Sequence, residues 1–312
     1  MFPRSPGGLE RTVGEGGDRL RRSRIVLAAA AATLTLVFAA CAGTGEEEEP
    51  EATGPTGATA EPTGPTAGTG PTFTTLQEGI LSVGSCLDYP PFETVEGGVE
   101  VGFDVDMVNE IASRLGLEVQ WVRADFDTIF TAVAGGQFDM VAAASTITEE
   151  REQTVDFSDP YFNSRQALVV NTEQTPDLTS TAELQAGDVV GVQKGTTGAQ
   201  WARQNLVPNG IQLQTFSSAT DGLRALEGGA MTAFVADEPF VAEAIGNLPS
   251  LAVVEGIDTG EKYGFAFSPD NPGLRDAWNA VLAEVIADGT YKEIYEKWFP
   301  GAPLPPEFEP TT

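Results

Sequence analysis

Arg151, within TITEERE (146–152), is one of 17 lysines and arginines set against 46 acidic side chains. Its guanidinium is a planar fork of donors that matches a carboxylate. Thr146, and the free N–H groups of a helix expected to start at Thr148, favour the same anion. A cation in that first turn faces the positive end of the helix dipole, which is unfavourable unless both attract one ligand. Gly195-Thr196-Thr197-Gly198 offers a second nest of backbone donors before another helix. Asp237 offers an anion to an ammonium group, and Tyr89 and Phe126 offer flat faces for a ligand body. An arginine and an aspartate across one cleft describe a zwitterion, a free amino acid. Plainer readings stand beside each. Arg151 could pair with Glu149, Glu150 or Asp156 on the surface, where such pairs contribute little. Asp237 could cap a helix starting near Glu238-Pro239. Tyr89 could be a loop aromatic before Pro90-Pro91, and GTTG an ordinary turn and cap.

The elements that position these residues are short apolar runs alternating with helical patterns from Phe73 onward, which predict an α/β fold. ILSVGSC (80–86), LEVQWV (117–122) and FDMVAAA (138–144) read as strands. FDVDMVNEIASRLG (103–116) and FDTIFTAVAGG (126–136) read as helices, with Gly116 stopping the first. AVAGGQFDMVAAA (132–144) is similar to ALEGGAMTAFVAD (225–237), and ILSVGSC pairs with DVVGVQKG (188–195). Two similar lobes are expected, with a single α/β domain of about 240 residues as the alternative. In open parallel sheets, ligands bind beyond the carboxyl ends of the strands. Those ends are Cys86 to Tyr89, Ala144 to Thr146, Gln193 to Thr197, and Asp237. If the lobes face each other, all four line one cleft, with Ala144 and Asp237 in equivalent positions. The tail (271–299) reads as two helices: Pro272 lies near the start of the first, and Trp298 and Phe299 fill the core.

Upstream, residues 1–40 hold six arginines against three acids, followed by the apolar run Ile25–Ala40 and then Cys41. This is the pattern of an export signal. The run has 16 residues, short of the about 20 a spanning helix needs. Residues 42–72 are rich in Gly, Pro, Thr and Glu without apolar periodicity, the composition of a disordered tether. The whole chain carries −29, and the +3 of residues 1–40 leaves −32 for the rest. Such a surface repels nucleic acid and anionic membranes. With no histidine in the chain, a Ser-His-Asp triad and histidine metal ligands are excluded. Neither metal nor cofactor is expected. Cys86 has no disulfide partner once Cys41 is set aside, and fits a small buried hydrophobe.

Taken in order, DYPPF (88–92), VGFDVDMVNEIASRLG (101–116), TITEERE, VDFSDPYF (155–162), VGVQKGTTG (190–198), YGFAF (263–267) and DGTYKEIYEKWF (288–299) resemble the bacterial family 3 solute-binding proteins, polar amino-acid receptors of ABC importers. Phe38-Ala39-Ala40-Cys41 likewise resembles a lipobox, in which the cysteine is lipidated and becomes the mature N-terminus. The resemblance implies an α/β, two-lobed type II periplasmic-binding-protein fold with a hinge of two crossing strands. It divides the chain into a signal peptide (1–40), a lipidated Cys41 with its tether (41–72), lobe 1 (73–162 with 265–312) and lobe 2 (163–264). It gives Arg151 the ligand α-carboxylate, assisted by Thr146 and Thr197. Asp237 and the Ala144 carbonyl take the α-ammonium, and Tyr89 and Phe126 sandwich the side chain. Cys86 and Gln193 stand where relatives carry an aspartate and a lysine that reach the ligand side chain. Their replacement favours a neutral or acidic ligand over a basic one. The implied protein is a monomer, lipid-anchored on the outer face of the cytoplasmic membrane, and its partners are a free amino acid and a permease. Two alternatives are kept. A ligand-sensing receptor would need a membrane or kinase segment after the fold. A dehydratase-like relative would need a proton donor in the cleft, and the strand ends show no Glu or Lys beyond Asp237 and Lys194.

Overall fold

The computed structural model describes residues 73–311; the expected signal, Cys41 and tether lie outside them. In chain order the elements are β1 (Ile80–Ser85), the hairpin β2 (Thr94–Glu96) and β3 (Val99–Val101), α1 (Phe103–Arg114), β4 (Glu118–Arg123), α2 (Phe126–Ala134) and β5 (Met140–Val141). Next come β6 (Asp156–Phe157), β7 (Phe162–Asn171), β8 (Val189–Gln193), α3 (Thr197–Asn205), β9 (Gln212–Phe216), α4 (Ala219–Glu227), β10 (Ala233–Asp237) and α5 (Glu238–Ala244). The last are β11 (Leu251–Tyr263), β12 (Ala266–Phe267), α6 (Pro272–Ala287) and α7 (Thr290–Trp298).

Two five-stranded sheets result, ordered β4-β1-β5-β12-β6 and β9-β8-β10-β7-β11. In each the first three strands are parallel and the fourth antiparallel to the third. β1 is thus the counterpart of β8, and β5 of β10, the pairing the internal similarity predicts. The fold is the two-lobed, type II periplasmic-binding-protein architecture. The chain passes from the first sheet to the second through β7 and returns through β11. These two strands pair antiparallel as a ribbon, with register shifts between Val253 and Glu255 and between Ile257 and Glu261.

Local sequence explains most elements. In α1, Phe103, Met107, Val108, Ile111 and Ala112 are buried, the i, i+4 spacing of one apolar stripe. Gly116 follows at φ 74°, the left-handed stop that glycine makes easily. Gly102 precedes the helix at φ 144°, where a Cβ would lie 1.9 Å from the Phe92 carbonyl oxygen. Glycine there lets α1 lie backbone to backbone against the Pro91–Glu93 loop. Trp278, Val281, Leu282 and Val285 bury one face of α6, and Phe299 packs among Phe92, Phe103 and Phe162.

Two expectations differ from what is seen. The strand expected over 138–144 is only Met140–Val141, because Ala144 sits at φ 43° and turns the chain out of the sheet. The helix expected from Thr148 is one 3₁₀ turn, Arg151–Gln153. Only two residues separate it from β6, so no helix of useful dipole forms and the dipole argument does not apply to Arg151.

Candidate functional site

The carboxyl ends of β1, β5, β8 and β10 converge on one narrow cavity. It is lined by all nine residues expected at a site: Cys86, Tyr89, Phe126, Ala144, Thr146, Arg151, Gln193, Thr197 and Asp237. Ala143, Thr196 and Glu93 line it as well.

Arg151 is half-buried and forms no ion pair among the described residues. Nη1 donates to the Thr146 carbonyl at 2.6 Å and Nη2 to the Gly195 carbonyl at 3.2 Å. The guanidinium carbon lies 5.2 Å from the Phe126 ring centre and 4.6 Å from that of Phe130, within cation–π range. Burial lowers its pKa to about 10, against the opposing pull of Asp237 and Glu261, so it stays charged at neutral pH. Held by carbonyls rather than carboxylates, its charge is not neutralised by a near neighbour.

Asp237 ends β10. It occupies the position before α5, yet its side chain makes no capping bond. The carboxylate instead accepts from the Gln166 amide and the Tyr263 hydroxyl, both on the ribbon. Burial and the nearby Glu261 raise its pKa to about 7, while the Tyr263 and Gln166 bonds pull the other way. A carboxyl poised this way ionises when a cation arrives.

Thr146 pairs with Tyr263 in a bridge that ties the loop after β5 to the ribbon. Its hydroxyl donates to Glu261 at 3.0 Å, and the Thr197 hydroxyl donates to the same oxygen at 3.2 Å. Each has one proton, so while Glu261 holds it neither hydroxyl can donate into the cavity, and the Thr197 oxygen also accepts from the Gln166 amide at 3.4 Å. This geometry differs from the carboxylate-donating role implied by resemblance. Thr196 caps α3, accepting from the Ala199 N–H at 3.1 Å.

Tyr89 stacks on Phe240 of α5, with ring centres 4.0 Å apart and planes 6° from parallel. Lys194 forms an ion pair with Asp127 at 2.6 Å, and Gly195 approaches so closely that a Cβ there would lie 2.9 Å from the Asp127 Cα. The two lobes therefore touch along the rim. Burial pushes the Cys86 thiol pKa well up.

Glu93 escaped the sequence reading. It is fully buried, both carboxyl oxygens lack a hydrogen-bond partner, and it lines the cavity. Burial, then Asp104, Asp88 and Asp237, drive its pKa well above the ordinary carboxylate range. The available signal was its position directly after DYPPF, an acid at the end of an apolar plug. Its presence removes the premise that the cleft holds no acid beyond Asp237.

The profile of the bacterial extracellular solute-binding proteins, family 3, matches residues 81–301. A probable histidine-binding protein of Campylobacter jejuni is 31% identical over 220 residues, covering 70% of this chain and 84% of that protein. The ABC transporter arginine-binding protein 1 of Escherichia coli is 29% identical over 226 residues, covering 70% and 90%. Among solved structures, an ancestral arginine-binding protein bound to arginine matches with a TM-score of 0.68 at 38% identity, covering 71% of this chain and 98% of that one. An ancestral amino acid-binding protein described as a precursor of cyclohexadienyl dehydratase matches with a TM-score of 0.66 at 35% identity, covering 71% and 96%.

Proposed function

The chain belongs to the bacterial extracellular solute-binding proteins of family 3, and from that membership we propose that it captures a free amino acid between two closing lobes and delivers it to the permease of an ABC importer. The observation that carries this is one cavity holding Arg151 against Asp237. Arg151 takes the α-carboxylate. Asp237 takes the α-ammonium. Closure excludes water and strengthens each charged contact. A ligand favours the closed form only by binding it more tightly than the open one.

The side chain this cavity suits is basic. The missing aspartate at Cys86 points away from arginine and histidine, yet the two relatives described above are named for those amino acids. Glu93 supplies the reason. An unpartnered buried carboxyl is costly, and a guanidinium, ammonium or imidazolium would pair with it.

Cys41 carries the lipid anchor in this reading, residues 42–72 are the tether, and the lobes divide at 162/163 and 264/265. Cys41→Ser should release the protein from membranes; unchanged membrane association after detergent-free washing contradicts the anchor. The central test is a thermal-shift screen of the twenty amino acids against residues 73–312, since a tight ligand raises the transition by mass action. A raised transition with arginine, lysine or histidine is expected. No response to any amino acid sinks the reading.

Glu93 also favours a second reading. A protonated carboxyl in a closed cavity is the group a dehydratase needs as proton donor, and one structural neighbour is described as a precursor of such an enzyme. Turnover of a cyclohexadienyl substrate, lost in Glu93→Gln, would select it; substrate left intact rejects it.

A further inference from the structure

Ala144 is one of two non-glycine residues with positive φ among those described, at 43°. An alanine resists that conformation because its Cβ crowds the following carbonyl. The residue nevertheless lines the cavity, 4% exposed. Something must hold it, and a single contact stands out. The Ala144 N–H donates to Oδ2 of Asp104 at 3.0 Å. Asp104 comes from the first turn of α1 and is itself fully buried. Its other oxygen accepts from the Tyr161 hydroxyl at 2.8 Å. Both carboxylate oxygens are thus engaged, one by the site loop and one by the start of the ribbon. A buried aspartate placed under a strained loop, and not touching the cavity, is more than a satisfied core acid.

We infer that Asp104 is a positioning residue for ligand binding: its carboxylate holds Ala144 in the left-handed conformation that sets the cavity wall between β5 and Thr146. This rests on reading the cavity as an amino-acid site. Without the acceptor, Ala144 relaxes toward negative φ and carries the adjoining backbone with it. The wall then no longer meets the ligand, although Arg151, Asp237 and Glu93 are all present.

The test is calorimetric titration of L-arginine into the wild-type protein, Asp104→Asn, Ala144→Gly, the double variant and Tyr161→Phe, with ligand-free melting curves for each. Asp104→Asn leaves only a neutral amide oxygen for the Ala144 N–H and should weaken binding about tenfold, as expected when a charge-assisted bond becomes a neutral one. Glycine adopts positive φ without strain, so the double variant should recover most of that loss and most of any loss in melting temperature. Tyr161→Phe keeps the contact to Ala144 and should stay within about threefold of wild type. The assignment is overturned if Asp104→Asn binds as wild type, if the double variant recovers nothing, or if Tyr161→Phe falls as far as Asp104→Asn. Should Asp104→Asn fail to fold, a folded double variant supports the assignment and an unfolded one overturns it. Wild-type protein that binds no arginine contradicts the choice of arginine as ligand instead; in that case the melting curves alone decide the role of Asp104, by whether glycine restores what asparagine removes.

Discussion

β5 and β10 hold the same place in their two sheets, third in order and parallel to the second strand, yet they present different chemistry at the cavity. β10 runs five residues and delivers a side chain, Asp237, directly ahead of α5. β5 runs two residues, then breaks into a loop that delivers backbone at Ala144 and, seven residues further, the Arg151 guanidinium. One half of the cleft is therefore set by ordinary strand geometry. The other is set by a strained loop that needs outside support. A duplicated framework can hold a zwitterion because its two copies end differently.

Breaking the loop-borne half should have the largest effect. Arg151→Ala removes the only guanidinium lining the cavity among the described residues, and binding should fall by about 100-fold or more, as for truncating one partner of a buried charge pair. The ligand-free melting temperature should change little, since Arg151 bonds carbonyls and covers rings rather than pairing with a carboxylate. Retained ligand-induced stabilisation would show that the carboxylate lies elsewhere.

Glu93→Gln sharpens the comparison next, because Glu93 is the carboxyl that the first lobe places in the cavity lining, where the second places Asp237. Affinity for arginine should fall about tenfold or more while glutamine is affected little, as expected for a charge-assisted contact reduced to a neutral one. Equal losses for both ligands would mean that Glu93 shapes the wall rather than reading the side chain.

The strand-borne half carries a pH signature. Burial raises the pKa of Asp237 to about 7, and that of Asp104, which supports the loop-borne half, to about 6. As pH rises from 4, the unfolded carboxyls lose protons first, so the stability due to these groups falls until the folded values are passed. The ligand needs Asp237 ionised. Between about pH 4 and 7 the ligand-free melting temperature should therefore decline while the shift produced by ligand grows, and both are read in one set of melting curves. Affinity should drop by up to about tenfold per pH unit below 7. A ligand-induced shift that is flat with pH would remove Asp237 from the ammonium site.

Gly195→Ala should have the smallest effect. The residue sits at φ 79° against Asp127, so a methyl group there resists the rim contact in two ways. A loss of about three- to tenfold, mostly in the dissociation rate, is expected from the backbone cost alone; an unchanged dissociation rate would show that binding does not require the rim to meet.

The repeat was legible because helix end, Gly-Gly turn and apolar strand recur with nearly the same spacing in 132–144 and 225–237. Convergence on one cavity followed from strand-end placement for seven of the nine residues; Phe126 opens α2 and Arg151 lies in the 3₁₀ turn well past β5. What stayed hidden depends on tertiary burial. Glu93 and Glu261 look like surface acids in a chain of 46 acidic residues, and nothing local says that one ends without a hydrogen-bond partner and the other accepts from four side chains. The three alanines 142–144 have β-like neighbours on both sides, so the break after Val141 is invisible until Asp104 reaches across from α1. Arg151 looked helical because TITEERE has a cap and acids in helical order, but β6 follows too soon for a helix to grow.

Glu261 lies on the ribbon, and its carboxylate accepts from Thr146, Thr197, Thr259 and the Gln166 amide. Thr146 rides on the loop of one sheet and Thr197 opens a helix of the other, yet both donate to the same oxygen, Oε2. The two jaws cannot part without releasing at least one of those bonds. The crossing strands are then more than a passive spring on which jaws swing: the spring carries its own clasp.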